Sequence, residues 1–124
     1  MRIDVLTLFP EMFPELLGSS ILKRAAEAGH VQYHVTDIRD YMYDQVAATG
    51  ELKHGKVDDR PFGGGPGMVM ACQPLWDCVQ AVRQQDARPA TPVVLTPQGE
   101  RLTQRTCEHL AQCERLMLIA GHYE

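Results

Sequence analysis

The chain has 124 residues, a mass of 13.9 kDa and a net charge of −4 from 12 basic and 16 acidic side chains. That is the size of one ordinary domain, large enough to bury a core of its own. The acidic balance argues against a general polyanion-binding surface, although a local basic patch could still meet nucleic acid.

No apolar run, Leu116 to Ala120 included, approaches the length needed to cross a membrane. Asp4 falls where a secretory leader would carry its apolar segment, so an unexported protein in a reducing compartment is expected. Cys72, Cys78, Cys107 and Cys113 lack the C-x2-C spacing of a zinc site. They are expected to be small apolar core residues, with no metal bound.

Arg2 to Phe9 is β-branched and aliphatic, closed by Pro10, and reads as a strand buried on both faces. The stretch after it is helical in two pieces, with Pro14 starting a turn and Gly18-Ser19-Ser20 interrupting and re-capping it. Ile21, Leu22, Ala25 and Ala28 form one apolar face of the second piece, and Gly29 sits where a helix ends. Val31, Tyr33 and Val35 alternate with polar residues, giving a second strand with one polar face.

From Tyr41 to Gly67 the chain is polar and glycine-rich with no clear period, too long for an idle connection in a compact domain. A helix follows, with Pro74 in its first turn and Leu75, Cys78, Val79 and Val82 at helical spacing. Gln84 to Thr91 is a polar turn, and Val93 to Leu95 reads as a short buried strand. After Thr96-Pro97-Gln98-Gly99 a further helix is expected to carry Cys107, Leu110 and Ala111 inward, before a last strand at Leu116 to Ala120.

This β-α-β-loop-α-β-α-β order specifies an α/β domain, a mostly parallel sheet with flanking helices. The last strand is apolar on both faces with no helix after it, so the chain is expected to be the front part of something longer.

The most unusual segment is Val57-Asp58-Asp59-Arg60-Pro61-Phe62-Gly63-Gly64-Gly65-Pro66-Gly67-Met68. Its glycines let the backbone approach a ligand and present N–H groups without Cβ interference. It is neither a Walker A loop, lacking Gly-Lys-Ser/Thr, nor a dinucleotide fingerprint, since Met68 takes the third glycine position. A flexible connection is the plainer reading, but Pro61 and Pro66 stiffen it. Asp58 and Asp59 are adjacent, so in extended chain they point apart and cannot form a carboxylate dyad. Arg60 is a candidate phosphate or carboxylate partner, or simply the ion-pair partner of a neighbouring acid.

Two loops fall at the carboxyl ends of consecutive strands, Thr96 to Gly99 and Gly121 to Glu124. Ligands of open parallel sheets bind outside those ends. A bare backbone, an aromatic and a carboxylate are suitable parts for a purine or ribose pocket, though ordinary turns would read the same way. Hydrolytic templates fail: Ser19 and Ser20 lie in no G-x-S-x-G, and the five histidines form no H-E-x-x-H. A single histidine such as His109 reads as a helix-surface residue.

The start MRIDVLTLFPEMF, the segment VDDRPFGGGPGM, the turn LTPQG and the ending LIAGHYE resemble, in this order, the bacterial tRNA (guanine-N1)-methyltransferases of the TrmD family. The likeness covers nearly the whole chain. It implies the fold of the trefoil-knotted (SPOUT) methyltransferases, with S-adenosyl-L-methionine held at the carboxyl end of the sheet. It further implies a cytoplasmic homodimer that methylates N1 of the guanosine immediately 3′ to the tRNA anticodon.

Carried over by motif, Leu95, Thr96, Pro97, Gln98, Gly121, Tyr123 and Glu124 would bind the cofactor. Arg60, Gly63, Gly64, Gly65, Pro66 and Gly67 would lie near the target nucleotide. Family members run to about twice this length. Residues 1–124 are therefore expected to be the amino-terminal part of the cofactor-binding domain. The rest of the knot, the general base and the tRNA-binding domain are expected beyond residue 124, and this part alone is expected to be inactive. Tyr41 to Lys56 departs from the family as a longer segment, which leaves the path into the glycine loop open. Two other classes fit the residues: a non-enzymatic nucleotide-binding module using the same strand-end loops, and a self-associating structural domain whose glycine loop is a linker.

Overall fold

A computed structural model of the chain describes residues 1–42, 45–46, 52–53 and 55–123. The first strand, β1 (Arg2–Thr7), is followed by a 3-10 turn at Pro10–Met12 and two short helices, α1 (Phe13–Leu17) and α2 (Ser20–Glu27). Gly18 separates the helices, its N–H donating to Pro14 O at 2.9 Å. Strand β2 (Gln32–Asp37) then runs into a 3-10 turn at Ile38–Tyr41, capped by Asp37 Oδ1 accepting from Arg39 N at 2.8 Å.

Two small ribbons follow. Strands β3 (Gln45–Val46) and β4 (Leu52–Lys53) pair antiparallel, as do β5 (Asp58–Asp59) and β6 (Val69–Met70). The stretch that lacked any period in the sequence thus contains paired backbone. Two-residue strands are too short to leave an alternation. Helix α3 (Cys72–Gln84), strand β7 (Thr91–Val94), helix α4 (Gln104–Leu110) and strand β8 (Arg115–Ala120) complete the chain.

The main sheet has the order β2-β1-β8-β7, and every pairing in it is parallel. The expected α/β class and helix–strand alternation hold. Both central strands are buried on both faces, as their apolar runs predict. Arg2, Asp4, Leu6 and Leu8 alternate onto one face of β1 and its extension. Register sets them beside Arg115, Met117 and Ile119 of β8. Leu6, Leu8, Met117 and Ile119 close with Cys78, Val79 and Val82 of α3, Ile38 and Val57 into the core.

Several expectations of burial are not met within residues 1–124, all away from that core. Strand β7 is an edge strand, and its Val94 and the following Leu95 are 61% and 58% exposed. At α4 and its end, Cys107 and Ala111 are exposed and Leu110 is half-buried. In α2, Ile21 and Ala28 face solvent, while Leu22 and Ala25 are half-buried. An amphipathic stripe shows which face seeks cover, not what covers it.

The cysteines divide the same way: Cys78 is buried, Cys113 half-buried, and Cys72 and Cys107 exposed. Burial, with Asp37 and Asp40 nearby, pushes the Cys78 thiol up to about 12. In a timed disulfide-reagent assay at pH 8, Cys72 and Cys107 are expected to react first and Cys78 only upon unfolding.

At the amino-terminal end of the sheet, one carboxylate holds two arginines. Asp4 Oδ1 accepts from Arg2 Nε at 2.8 Å, and Asp4 Oδ2 accepts from Arg115 Nε at 2.7 Å. Arg115 also donates to Arg83 O at 3.2 Å, to Asp86 O at 2.8 Å and to Val82 O. Those are carbonyls at the end of α3 and just after it, of the kind a helix end leaves unpaired. Asp4 and Arg115 are almost wholly buried, and among the described residues no buried side-chain polar atom lacks a partner.

Beside this network Asp86 accepts from Arg88 Nε at 2.9 Å and Nη2 at 2.6 Å. The Arg88 guanidinium and backbone N–H hold the Asp86 carboxyl well below the usual carboxylate range. A carboxyl lowered by folding contributes stability above its unfolded value, about pH 4. That contribution fades as pH falls through the folded value. Carboxyl-carbon NMR is expected to show Asp86 still ionised where ordinary aspartates titrate.

Candidate functional site

In the order β2-β1-β8-β7 the chain leaves β1 in one direction to build β2, then returns to place β8 and β7 on its other side. The switch point therefore lies between β1 and β8, where parallel sheets bind ligands beyond the carboxyl ends. A crevice of about 360 Å³ opens there. Thr7 and Phe9 at the end of β1, and Ala120, Gly121 and His122 at the end of β8, line it. Met12, Phe13 and Leu16 from the first helical stretch and Leu95 beyond β7 complete the wall. The volume lies within the range of small-molecule sites, and the lining is mostly apolar with exposed backbone.

The turn after β8 has a specific shape. His122 has φ 79°, a left-handed conformation uncommon for a residue with a side chain. Its ring meets Phe9 edge-on at 5.1 Å and Tyr123 edge-on at 5.0 Å. Phe9 is gripped from behind by Arg39, whose guanidinium lies 5.2 Å from the ring centroid and donates to Leu8 O. Gly121 is buried, and a Cβ there would lie 3.3 Å from Met70 Sδ.

The two strand-end loops named from the sequence are neighbours. Leu95 N donates to Ile119 O at 3.1 Å, continuing the β7–β8 ladder to the crevice. Leu95 and Gly121 both stand on its wall. Thr96, Pro97 and Gln98 run outward from it as an exposed turn, with Gly99 N donating to Thr96 O at 3.2 Å. Tyr123 packs against the core, while Glu124 lies outside the described residues.

Arg60 and the glycine loop sit at the tip of the β5–β6 ribbon, exposed. Gly63, Gly64, Gly65 and Gly67 have φ of 82°, 83°, 121° and 92°, with open space where each Cβ would stand. The demand for glycine here is conformational rather than steric. Pro61 O accepts from Gly64 N at 3.0 Å, and the Phe62 ring stands fully in solvent. Asp58 is half-buried and Asp59 exposed, as adjacent residues of an extended pair should be.

The family model for tRNA (Guanine-1)-methyltransferase TrmD matches residues 1–124. The chain belongs to this family. Over its whole length it is 49% identical to a tRNA (guanine-N(1)-)-methyltransferase of Halalkalibacterium halodurans and 48% identical to that of Chloroflexus aurantiacus. It spans 47% and 46% of those relatives, about half the length of each. It also superimposes on the crystal structure of tRNA (m1G37) methyltransferase from Aquifex aeolicus with a TM-score of 0.78 and 32% identity. That match covers 96% of this chain and 50% of the Aquifex chain.

One side of the crevice in this TrmD-family chain carries no site signal in the sequence. Thr7, Phe9, Met12, Phe13 and Leu16 were assigned to a strand and a helix but to no site. Pro10, which ends the first strand, marks a third strand-end loop, but only the strand order brings it beside Gly121. His122 lies in a loop the sequence singles out, but its contact with Phe9, like that of Met70 with Gly121, joins segments far apart in the chain.

Proposed function

We propose that the intact protein transfers a methyl group from S-adenosyl-L-methionine to N1 of the guanosine immediately 3′ to a tRNA anticodon. The observation that carries this reading is the meeting of Leu95 and Gly121 at the switch-point crevice, in a chain of the TrmD family. The crevice fits the cofactor's chemistry: Phe9, Phe13, Leu16 and Leu95 offer apolar surface to a purine, and the bare Gly121 turn offers close backbone approach.

When bound, the cofactor supplies an activated methyl group, so no nucleophile is needed from the protein. What remains for the chain is orientation and the exclusion of water. Leu95, Thr96, Pro97, Gln98, Gly121, Tyr123 and Glu124 are the proposed cofactor residues. Arg60, Gly63, Gly64, Gly65, Pro66 and Gly67 are proposed to meet the nucleotide, the arginine with phosphate and the glycines with unshielded N–H groups. Guanine N1 must lose its proton to attack, and His122 is the one titratable side chain on the described wall. No catalytic base is assigned to it; the general base is proposed to lie beyond residue 124.

A cytoplasmic homodimer and a trefoil knot belong to the same reading. Met12, Leu16, Ile21, Val94 and Leu102 remain more than half exposed, apolar surface that a second subunit or further polypeptide would cover. The test is labelled methyl transfer by the intact protein to tRNA transcripts with and without guanosine 3′ to the anticodon. Transfer confined to the guanosine-bearing transcript supports the reading. A folded protein that binds nucleotide but transfers nothing to either transcript would instead be a nucleotide-binding module.

A further inference from the structure

Gly121 stands between two different neighbours. One side of its backbone is crevice wall. Its missing side chain would point the other way, onto Met70, with Sδ at 3.3 Å and Cε and Cγ at 3.4 Å from the Cβ position. The methionine thus occupies the space that glycine leaves. Met70 is the last residue of β6, paired across the ribbon with Asp58, and it packs on the hydrophobic core.

Directly after it, Ala71 N donates to Val57 O at 2.7 Å, closing the foot of the ribbon on a buried valine. The ribbon's other end is the glycine loop, whose residues are exposed. A thioether is soft and adaptable, able to keep contact as either neighbour shifts.

We propose that Met70 is a positioning residue that couples the crevice to the glycine loop, so that a nucleotide ligand seated against Gly121 fixes the loop's stem through the Met70 thioether. The inference rests on reading the crevice as the cofactor site. The three atoms nearest the Gly121 Cβ position all belong to Met70. Pressure on Gly121 is therefore passed to Met70.

The test uses the intact protein with glycine-selective labelling, measuring amide exchange at Gly63, Gly64, Gly65 and Gly67 with and without saturating S-adenosylhomocysteine. Saturation in every variant removes differences in affinity. Exchange in the wild type is expected to slow about tenfold on binding. Met70→Leu is expected to keep that slowing, and Met70→Ala to lose most of it while core amides of β1 and β8 stay protected. Met70→Val keeps an apolar strand residue but lacks the Sδ and Cε atoms that meet Gly121, and it should blunt the response even if Met70→Ala does not fold.

Full loop slowing in Met70→Ala or in Met70→Val would overturn the coupling, as would binding that leaves the wild-type loop unchanged. Absence of any binding would overturn the reading of the crevice, and the coupling with it.

Discussion

Asp4→Ala is expected to cost about 3–5 kcal/mol of folding stability, the range for removing one partner from a buried ion pair. The carboxylate is wholly buried and bonded to Arg2 at 2.8 Å and Arg115 at 2.7 Å. Removing it takes the directly bonded carboxylate from the Arg115 guanidinium, 1% exposed, and leaves only the more distant Asp86 charge to face it. Arg115 would still hold the carbonyls at the end of α3, so the damage is electrostatic before it is geometric. Asp4→Asn keeps the shape but offers only one acceptor where two guanidinium groups need one each, and it is expected to be destabilised too. The check is the urea midpoint of each variant beside Arg88→Ala. That last change opens an ion pair at the rim and should move the midpoint far less.

Gly121→Val is the second substitution with a large expected effect. The new Cβ would lie 3.3 Å from Met70 Sδ, and its two methyl groups reach further into the methionine or across the turn. Inserting carbon into a packed site costs about 1–3 kcal/mol. Displacing the turn should also deform the crevice wall. Both losses are expected, read as a lowered unfolding midpoint and an S-adenosylhomocysteine affinity reduced about tenfold or more. Adding Met70→Ala to Gly121→Val vacates the contested space and should restore part of the stability. Restoration beyond the sum of the single changes is the signature of direct contact.

Which parts of this molecule could be read in advance follows from the physics of each part. The central strands β1 and β8 were legible because a strand covered on both faces is apolar throughout. Helix α3 was legible because Cys78, Val79 and Val82 repeat at helical spacing and meet the sheet. Val93 to Leu95 looks equally apolar, yet β7 lies at the edge, since composition carries no information about strand order.

The same blindness hid half the crevice. Thr7 and Phe9 join Gly121 only because β1 lies beside β8, and the Asp4–Arg115 bond joins residues 111 apart. The glycine loop announced itself by composition, and its positive φ angles account for the residues. The ribbon beneath it, and the methionine against Gly121, left no periodic trace.

S-adenosyl-L-methionine is proposed to enter the crevice at the carboxyl ends of β1, β8 and β7. The most direct measurement is an amide-shift map of the intact protein titrated with S-adenosylhomocysteine, with ATP and NAD as competitors. Saturable binding that prefers S-adenosylhomocysteine is expected, with the largest shifts at Leu95 to Gln98 and Gly121 to Tyr123. Shifts centred instead on the concavity at Arg83 to Ala90, at the opposite end of the sheet, would contradict it. So would equal affinity for all three nucleotides.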